Sequence, residues 1–276
     1  MIRHVANAVY LLPHTPVVAR VGYSPGVVDR SRRAIEITRW LARRGFPAAE
    51  PLEPPTGRRQ PLVVKIARRR FAVTFWRYYP PDDRPAEPTQ LAAVARRLHA
   101  VHDRPPVRLP RFTPLMAVSS ALADPAAARA LSVPERAWLS GRIRQARDEY
   151  RRLASPLGHG LVHGDLYLGN LLSADRGVVL ADWDTVCVGP REVDLAPTYT
   201  AVRFGLAAGA VDRFAEAYGH DLRTWAGLPT LRTIRELSTL DTLIRAAPTR
   251  PASAEELRHR LGTLRRGDNA ALWHPQ

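Results

Sequence analysis

The stretch LVHGDLYLGNLLSADRGVVLADWDTV, at positions 161–186, constrains this chain more than any other. It sets His163, Asp165, Asn170, Asp182 and Asp184 among short apolar runs. Positions 161–162 lead into a polar turn, 171–172 lead out of it, and 178–181 form a further strand-like run. The pattern predicts strand, loop, strand, turn, strand, with polar side chains at the ends of strands whose own residues are core material. Asp165 and Asn170 stand five positions apart, and Asp182 arrives after the hairpin. An acid, an amide and a second acid gathered over one cleft can orient a hydroxyl and hold a divalent metal on phosphate oxygens.

A chain of 276 residues can bury a substantial core. Its formal charge of +15 is almost wholly arginine, because Lys65 is the only lysine. The resulting positive field favours anionic ligands such as nucleotides. The arginines are spread along the whole chain with no helix-turn-helix or zinc-finger spacing, so no nucleic-acid partner is expected. A single cysteine, Cys187, excludes an internal disulfide and a thiolate metal cluster. No run is long enough to cross a bilayer, and MIRHVANAVY is too short and too polar for a cleavable signal. No membrane partner and a cytoplasmic location are therefore expected. A core-facing stripe and a dimer patch read alike in a sequence, so no oligomeric state follows.

The class expected is α+β. In the first part, 9–12 and 17–21 read as a hairpin, and 29–44 as a helix with Ala34, Ile37, Trp40 and Leu41 on one side. Asp29 or Ser31 would cap that helix and Gly45 stop it. A loop rich in proline and glycine covers 51–61, and strands follow at 62–66 and 71–76. Positions 78–83 make a proline-bearing hinge. Beyond it the chain turns helical, over 87–101, 134–153, 193–202, 208–218, 231–244 and 255–265, with a loosely held tail at 268–276.

Three ordered motifs, HGDLYLGN at 163–170, ADWD at 181–184 and GPREVDLA at 189–196, carry a family resemblance. The chain resembles the aminoglycoside phosphotransferase and choline kinase superfamily, which has a protein-kinase-like two-lobed fold. That resemblance implies a nucleotide-binding lobe with a small antiparallel sheet at 1–79 and a helical catalytic and acceptor-binding lobe at 80–276. It implies an ATP- and Mg2+-dependent phosphotransferase moving the gamma-phosphate to a hydroxyl of a small molecule. The acceptor would be an aminoglycoside-like antibiotic, an amino alcohol, a sugar or a secondary metabolite. Matched motif by motif, Asp165 looks like the catalytic aspartate that orients the acceptor hydroxyl and takes its proton, and Asn170 and Asp182 like the residues that hold the metal and with it the nucleotide. Arg20, ending the strand VVAR, stands where the family offers a basic residue to the phosphates, with Glu36 as its partner. Lys65 follows the helix instead of preceding it and ranks below Arg20. The segment from Phe75 through Trp76, Arg77 and Tyr78 to Tyr79 would lie against the adenine. His163 is expected to be structural, and Asp194 to tie its loop to neighbouring backbone or to Arg191. Asp184 is left between the metal, the acceptor and a cap on the next turn.

The front end departs from the family. Only six residues precede Asn7, and no G-x-G-x-x-G is present. Either the usual first strand is missing, or MIRHVANAVY supplies a reduced phosphate cover through Asn7, or the natural start lies upstream. This keeps a second reading open, a nucleotide-binding regulatory protein with weak or no turnover. A protein kinase ranks third, because the stretch after Asp182 lacks the D-F-G to A-P-E segment. For the acceptor, Glu216, Glu236, Asp241, Glu255 and Glu256 are candidates to receive a polycation. Tyr218, Trp225 and Trp273 are candidates for a choline-type aromatic cage.

Overall fold

The computed structural model describes residues 3–4, 8–24, 26–54, 57–67, 69–82, 85–175 and 177–274. Strands β1 (Arg3–His4), β2 (Ala8–Leu11), β3 (Val17–Gly22), β4 (Leu62–Ile66) and β5 (Arg69–Arg77) form an antiparallel sheet in the order β1-β2-β3-β5-β4. The first strand is thus present, as two residues pairing Arg3 with Val9 and His4 with Ala8. Asn7, to which a phosphate cover was assigned, lies outside the described residues.

Helix α1 (Val27–Ala42) buries Ala34, Ile35, Ile37, Trp40 and Leu41, the stripe its spacing predicts. It starts after Gly26, which sits in the left-handed region at φ 69°. Asp29 therefore falls in the first turn and Ser31 inside the helix, so neither is its cap. At the other end Gly45, at φ 71°, closes a turn in which the Phe46 amide donates to the Leu41 carbonyl. This is the glycine-terminated helix end that directs the next apolar residue back onto the helix. Phe46 is buried, and the chain beyond it bridges Ala48 to Leu180 and Pro51 to Trp76. A segment given no element in the sequence reading therefore stitches β5 to the strand that leads into Asp182.

Contacts divide the chain into two compact units, 1–111 with 159–194, and 112–158 with 195–276. The lobe boundary expected at 79/80 falls inside the first of these units. Packing places α2 (Pro88–His99) and the segment 159–194 with the N-terminal sheet, because the 46–51 stitch and Arg20 bind that segment directly. In the first unit β6 (His159–Val162) pairs with β9 (Cys187–Pro190), and β7 (Leu171–Ala174) with β8 (Gly177–Leu180). Helix α6 (Glu192–Thr200) runs on from β9.

The second unit is helical: α3 (Met116–Ala123), α4 (Pro125–Ala128), α5 (Val133–Arg151), α7 (Ala208–Tyr218), α8 (Leu228–Ser238), α9 (Leu240–Ala246) and α10 (Pro251–Arg266). Helix α5 opens on a reciprocal cap between Ser132 and Glu135. Helices α3 and α4 were not anticipated, since MAVSSALA and PAAA carry no amphipathic period. The helix expected over 231–244 is two, α8 and α9, meeting at Thr239. The tail is not loose. Trp273 is 2% exposed, its amide donates to the Arg203 carbonyl at 2.6 Å, and its indole donates to Thr263. Among the described residues no helix is long and apolar enough to cross a membrane.

Candidate active site

The loop after β6 is held from beneath by one buried carboxylate. Asp194, 0% exposed, accepts the amides of His163 at 2.7 Å and Gly164 at 2.8 Å, and meets His99 Nε2 at 3.2 Å. Two peptide N–H groups that would otherwise be buried unsatisfied are thereby spent on a charge-assisted acceptor. Arg191 borders this cluster: its Nε donates to the His99 carbonyl at 3.2 Å, and its carbonyl accepts the Asp194 amide at 3.2 Å. Gly164 sits at φ 82°, where an added Cβ would come within 2.6 Å of the Thr185 carbonyl oxygen, so the turn admits only glycine.

His163 is fully buried. Its Nε2 bonds the Ala181 carbonyl at 3.0 Å, and its ring meets Trp183 edge-on at 4.9 Å. Nδ1 is buried without a hydrogen-bond partner. An imidazole so enclosed shapes the loop and cannot reach a substrate hydroxyl, which is the structural role expected of it.

Asp165, Asn170 and Asp182 are joined through a short chain of hydrogen bonds. The Asn170 side-chain amide donates to the Asp165 carbonyl at 2.8 Å, and the Ala181 amide donates to the Asn170 carbonyl at 2.8 Å. Asn170 is 3% exposed at the end of a single 3-10 turn, Leu168–Asn170. Its amide nitrogen is committed to that bond, so the oxygen is the atom left to present to a ligand. Asp182 adopts φ 62°, ψ 57°, a left-handed conformation that costs a non-glycine residue about 1–2 kcal/mol. Asp and Asn bear it best. The next residue, Trp183, is 1% exposed, donates its indole N–H to the Leu180 carbonyl at 2.8 Å, and packs edge-on against Phe46 at 5.7 Å. Burial of this indole turns the chain so that Asp182 and Asp184 flank it.

Arg20, on β3, reaches both acids. Nη1 donates to Asp184 Oδ1 at 3.0 Å, and Nη2 to Asp184 Oδ2 at 2.8 Å and Asp182 Oδ1 at 2.7 Å. Burial disfavours the charged guanidinium, but Asp182 and Asp184 together outweigh it and hold Arg20 above its ordinary value. The expected pairing of Arg20 with Glu36 is not formed, and Glu36 makes no ion pair among the described residues. Two acids beside the arginine capture it, leaving nothing for the helix acid to add. Lys65 stands exposed on β4, opposite Arg70.

A cleft of about 580 Å³ lies along the hinge, lined by Pro16, Tyr78, Tyr79, Pro80 and Asp82 on one side and Ser173 to Asp175 on the other. Arg77 also lines it. Phe75 and Trp76, each 8% exposed, are packed inside. The Phe75 amide donates to Gln60 and its carbonyl accepts from Leu52, while Tyr78 N–H is spent on the Pro16 carbonyl. The lining therefore begins at Arg77, two residues later than expected, and the β7 residues that complete it carried no sequence signal. Aromatic and proline walls with a few polar groups suit a planar base.

Among the described residues no three His, Cys, Asp or Glu side chains are grouped to hold a metal unaided. One amide oxygen and one carboxylate are what Asn170 and Asp182 offer. Such a set suits magnesium, a hard cation that completes its shell with phosphate and water oxygens.

Comparison with known proteins agrees with this geometry. Residues 3–233 match the model of the phosphotransferase enzyme family. Among solved structures, an amicoumacin kinase in complex with AMP-PNP and Ca2+ is similar at TM-score 0.73 and 14% identity, over 99% of this chain and 89% of that one. A spectinomycin phosphotransferase in complex with ADP is similar at TM-score 0.62 and 15% identity, over 94% and 87%. A microcompartment-associated aminopropanol kinase is similar at TM-score 0.64 and 14% identity, over 93% and 89%. No curated protein matches the chain. With a small antiparallel sheet, a helical C-terminal region and the family's model spanning most of its length, the chain belongs to the phosphotransferase enzyme family.

Proposed function

We propose that Asp165 orients the acceptor hydroxyl and takes its proton as the gamma-phosphate of ATP is transferred, with Asn170 and Asp182 holding magnesium. The observation that carries this assignment is the hydrogen-bond chain from Asp165 through Asn170 to Ala181, which fixes an acid, an amide and a second acid in one unit of backbone. Magnesium held there would neutralise the charge that develops on the phosphates. The chain's own part is positioning. Arg20 offers a planar fork to the phosphates, and the hinge from Arg77 to Asp82 receives the base.

The acceptor is an uncharged or singly charged alcohol, not a polycation. Of the five acids that could receive a polycation, Glu236 is committed to Arg203, Glu256 to Arg260 and Asp241 to Arg245. Glu216 and Glu255 remain, both exposed. The second compact unit, which lies within the 80–276 region that the resemblance assigns to catalysis and the acceptor, holds 18 arginines against 12 acids. Such a field repels polycations and tolerates neutral or anionic molecules. A choline-type cage is disfavoured as well, since the Trp273 ring already faces two guanidinium groups, Arg203 at 4.5 Å and Arg260 at 5.1 Å. The similar structures act on acceptors as different as amicoumacin, spectinomycin and aminopropanol. These give the breadth of the panel to be tested.

The test is a mass-spectrometric screen with ATP and magnesium against antibiotics, amino alcohols and their N-acetylated forms, sugars and hydroxy acids. An added phosphate that disappears in Asp165→Asn supports the assignment. ATP binding without product from any acceptor would favour the regulatory reading instead. A clear preference for polyamines over their acetylated forms would overturn the charge argument alone.

A further inference from the structure

We propose that Asp184 is the residue that positions Arg20 for the nucleotide phosphates, in the place expected of the helix acid Glu36. The inference rests on the reading of Arg20 as the phosphate-binding cation. Asp184 and Arg20 meet fork to fork, through two bonds of 3.0 and 2.8 Å on separate nitrogens and oxygens, whereas Asp182 receives a bond of 2.7 Å. Two-point contact fixes direction as well as distance; one-point contact does not. The carboxylates also differ in exposure. The Asp184 side chain is 17% exposed and that of Asp182 is 43%. Asp184 rides on the turn Trp183–Thr185, which the buried Trp183 indole and the bond from the Thr185 hydroxyl to the His163 carbonyl hold in place. Arg20 rides on β3, with Thr74 of β5 as its register partner. Each end of the fork therefore stands on an element fixed by other contacts.

This asymmetry assigns the two acids different tasks. Nη2 can exchange its bond to Asp182 for a phosphate oxygen while Nη1 stays on Asp184. The Asp182 carboxylate, which would hold magnesium in the proposed site, is then freed of its bond to Arg20 by the same event that brings the phosphates in. A lysine ammonium is a point charge and lacks the fixed fork needed to remain on Asp184 while doing so. The α1 helix takes no part, because Glu36 makes no ion pair among the described residues.

The experiment is equilibrium binding of ATP, with magnesium and separately in chelator, alongside kcat and KM for the best acceptor. Asp184→Asn should weaken ATP binding at least about tenfold, the scale of losing a hydrogen-bonded charged partner, in both conditions. Asp184→Glu should recover part of that loss, and its thermal melt guards against a folding defect. Arg20→Ala should lose as much, and the double variant should bind no worse than Arg20→Ala alone. A cycle between Arg20 and Glu36 should show no coupling. The proposal is overturned if Asp184→Asn binds within twofold of the unaltered protein, if its loss appears only with magnesium present, as for a metal ligand, or if the two losses simply add. Failure of the unaltered protein to bind ATP would remove the phosphate-binding reading and this inference with it. Normal binding with an indifferent Asp184 would remove the inference alone.

Discussion

Arginine meets carboxylate in both compact units, and the surroundings decide what each pair can do. In the helical unit the Arg203 side chain is 1% exposed and that of Glu236 is 8%. Arg203 donates Nε to Glu236 at 2.8 Å and Nη1 to the Asp268 carbonyl at 2.6 Å, and its guanidinium lies over the Trp273 ring. Arg260 repeats the arrangement, with Glu256 at 2.7 Å, the His274 carbonyl at 2.5 Å and the Trp273 ring at 5.1 Å. These clusters are closed, with donors spent on carbonyls as well as on a carboxylate and with an aromatic face covering the charge. At Arg20 three bonds run to two carboxylates, one of them substantially exposed and in a left-handed conformation. That cluster is open, and an incoming anion can take over one of its bonds. A closed pair stabilises a chain terminus; an open one can take part in a reaction.

The largest effect that would sharpen this contrast belongs to Asp165→Asn. It should lower kcat by about 10²–10⁴-fold, the range for removing a positioned proton acceptor. The thermal midpoint should stay near that of the unaltered protein, as read by phosphate transfer beside a melt. The reverse is expected of Arg203→Ala. Leaving Glu236 buried without its partner should cost about 3–5 kcal/mol in urea denaturation, and an indifferent melt would break the description of that cluster as closed. Trp273→Ala removes the shared ring and should cost about 3–5 kcal/mol in the same measurement.

Acid should expose a smaller difference. Burial alone would raise Glu256, but hydrogen bonds from Arg260 and His274 outweigh it and hold the carboxyl below its ordinary value of 4.5. A depressed carboxylate contributes its full stability above the unfolded value and loses it as pH falls through the folded one. Stability should therefore decline below about pH 4.5, and the decline should be shallower in Glu256→Gln when unfolding is followed against pH. The smallest effect concerns Cys187 on β9, where burial, with Asp194 adding to it, pushes the thiol up to about 12. It should react with a disulfide reagent at pH 8 only as fast as the first unit opens, since the thiolate is the reacting form. Prompt reaction in the folded protein would show that β9 is loosely held.

Much of the site was legible because its residues are close in sequence. Asp165, Asn170 and Asp182 fall within one strand-loop-hairpin segment whose apolar runs announce β6, β7 and β8. The stripe of α1 and the hairpin of β2 and β3 were legible for the same reason, local periodicity. Other features lay outside that reach. Helices α3 and α4 lack a polar face to set a period. The burial of Trp273 depends on Arg203, far from it along the chain, so the tail looked loose. The cleft lining shifted downstream because Phe75 and Trp76, apolar enough to suggest a base pocket, were instead taken into the packing of β5 against 46–52.

The amino-acid sequence by itself determined the chemistry: which acids and which amide stand together, that the basic residue on β3 is an arginine, and that the family is one of phosphotransferases. Only the tertiary structure decided which acid that arginine holds. Arg20 and Asp184 are 164 positions apart, and no local pattern can rank Asp184 above the nearby Glu36. The choice was made by the burial of Trp183 and by the stitch from Phe46 to Leu180, which carry the acidic turn to β3 and leave the helix acid without an ion pair among the described residues.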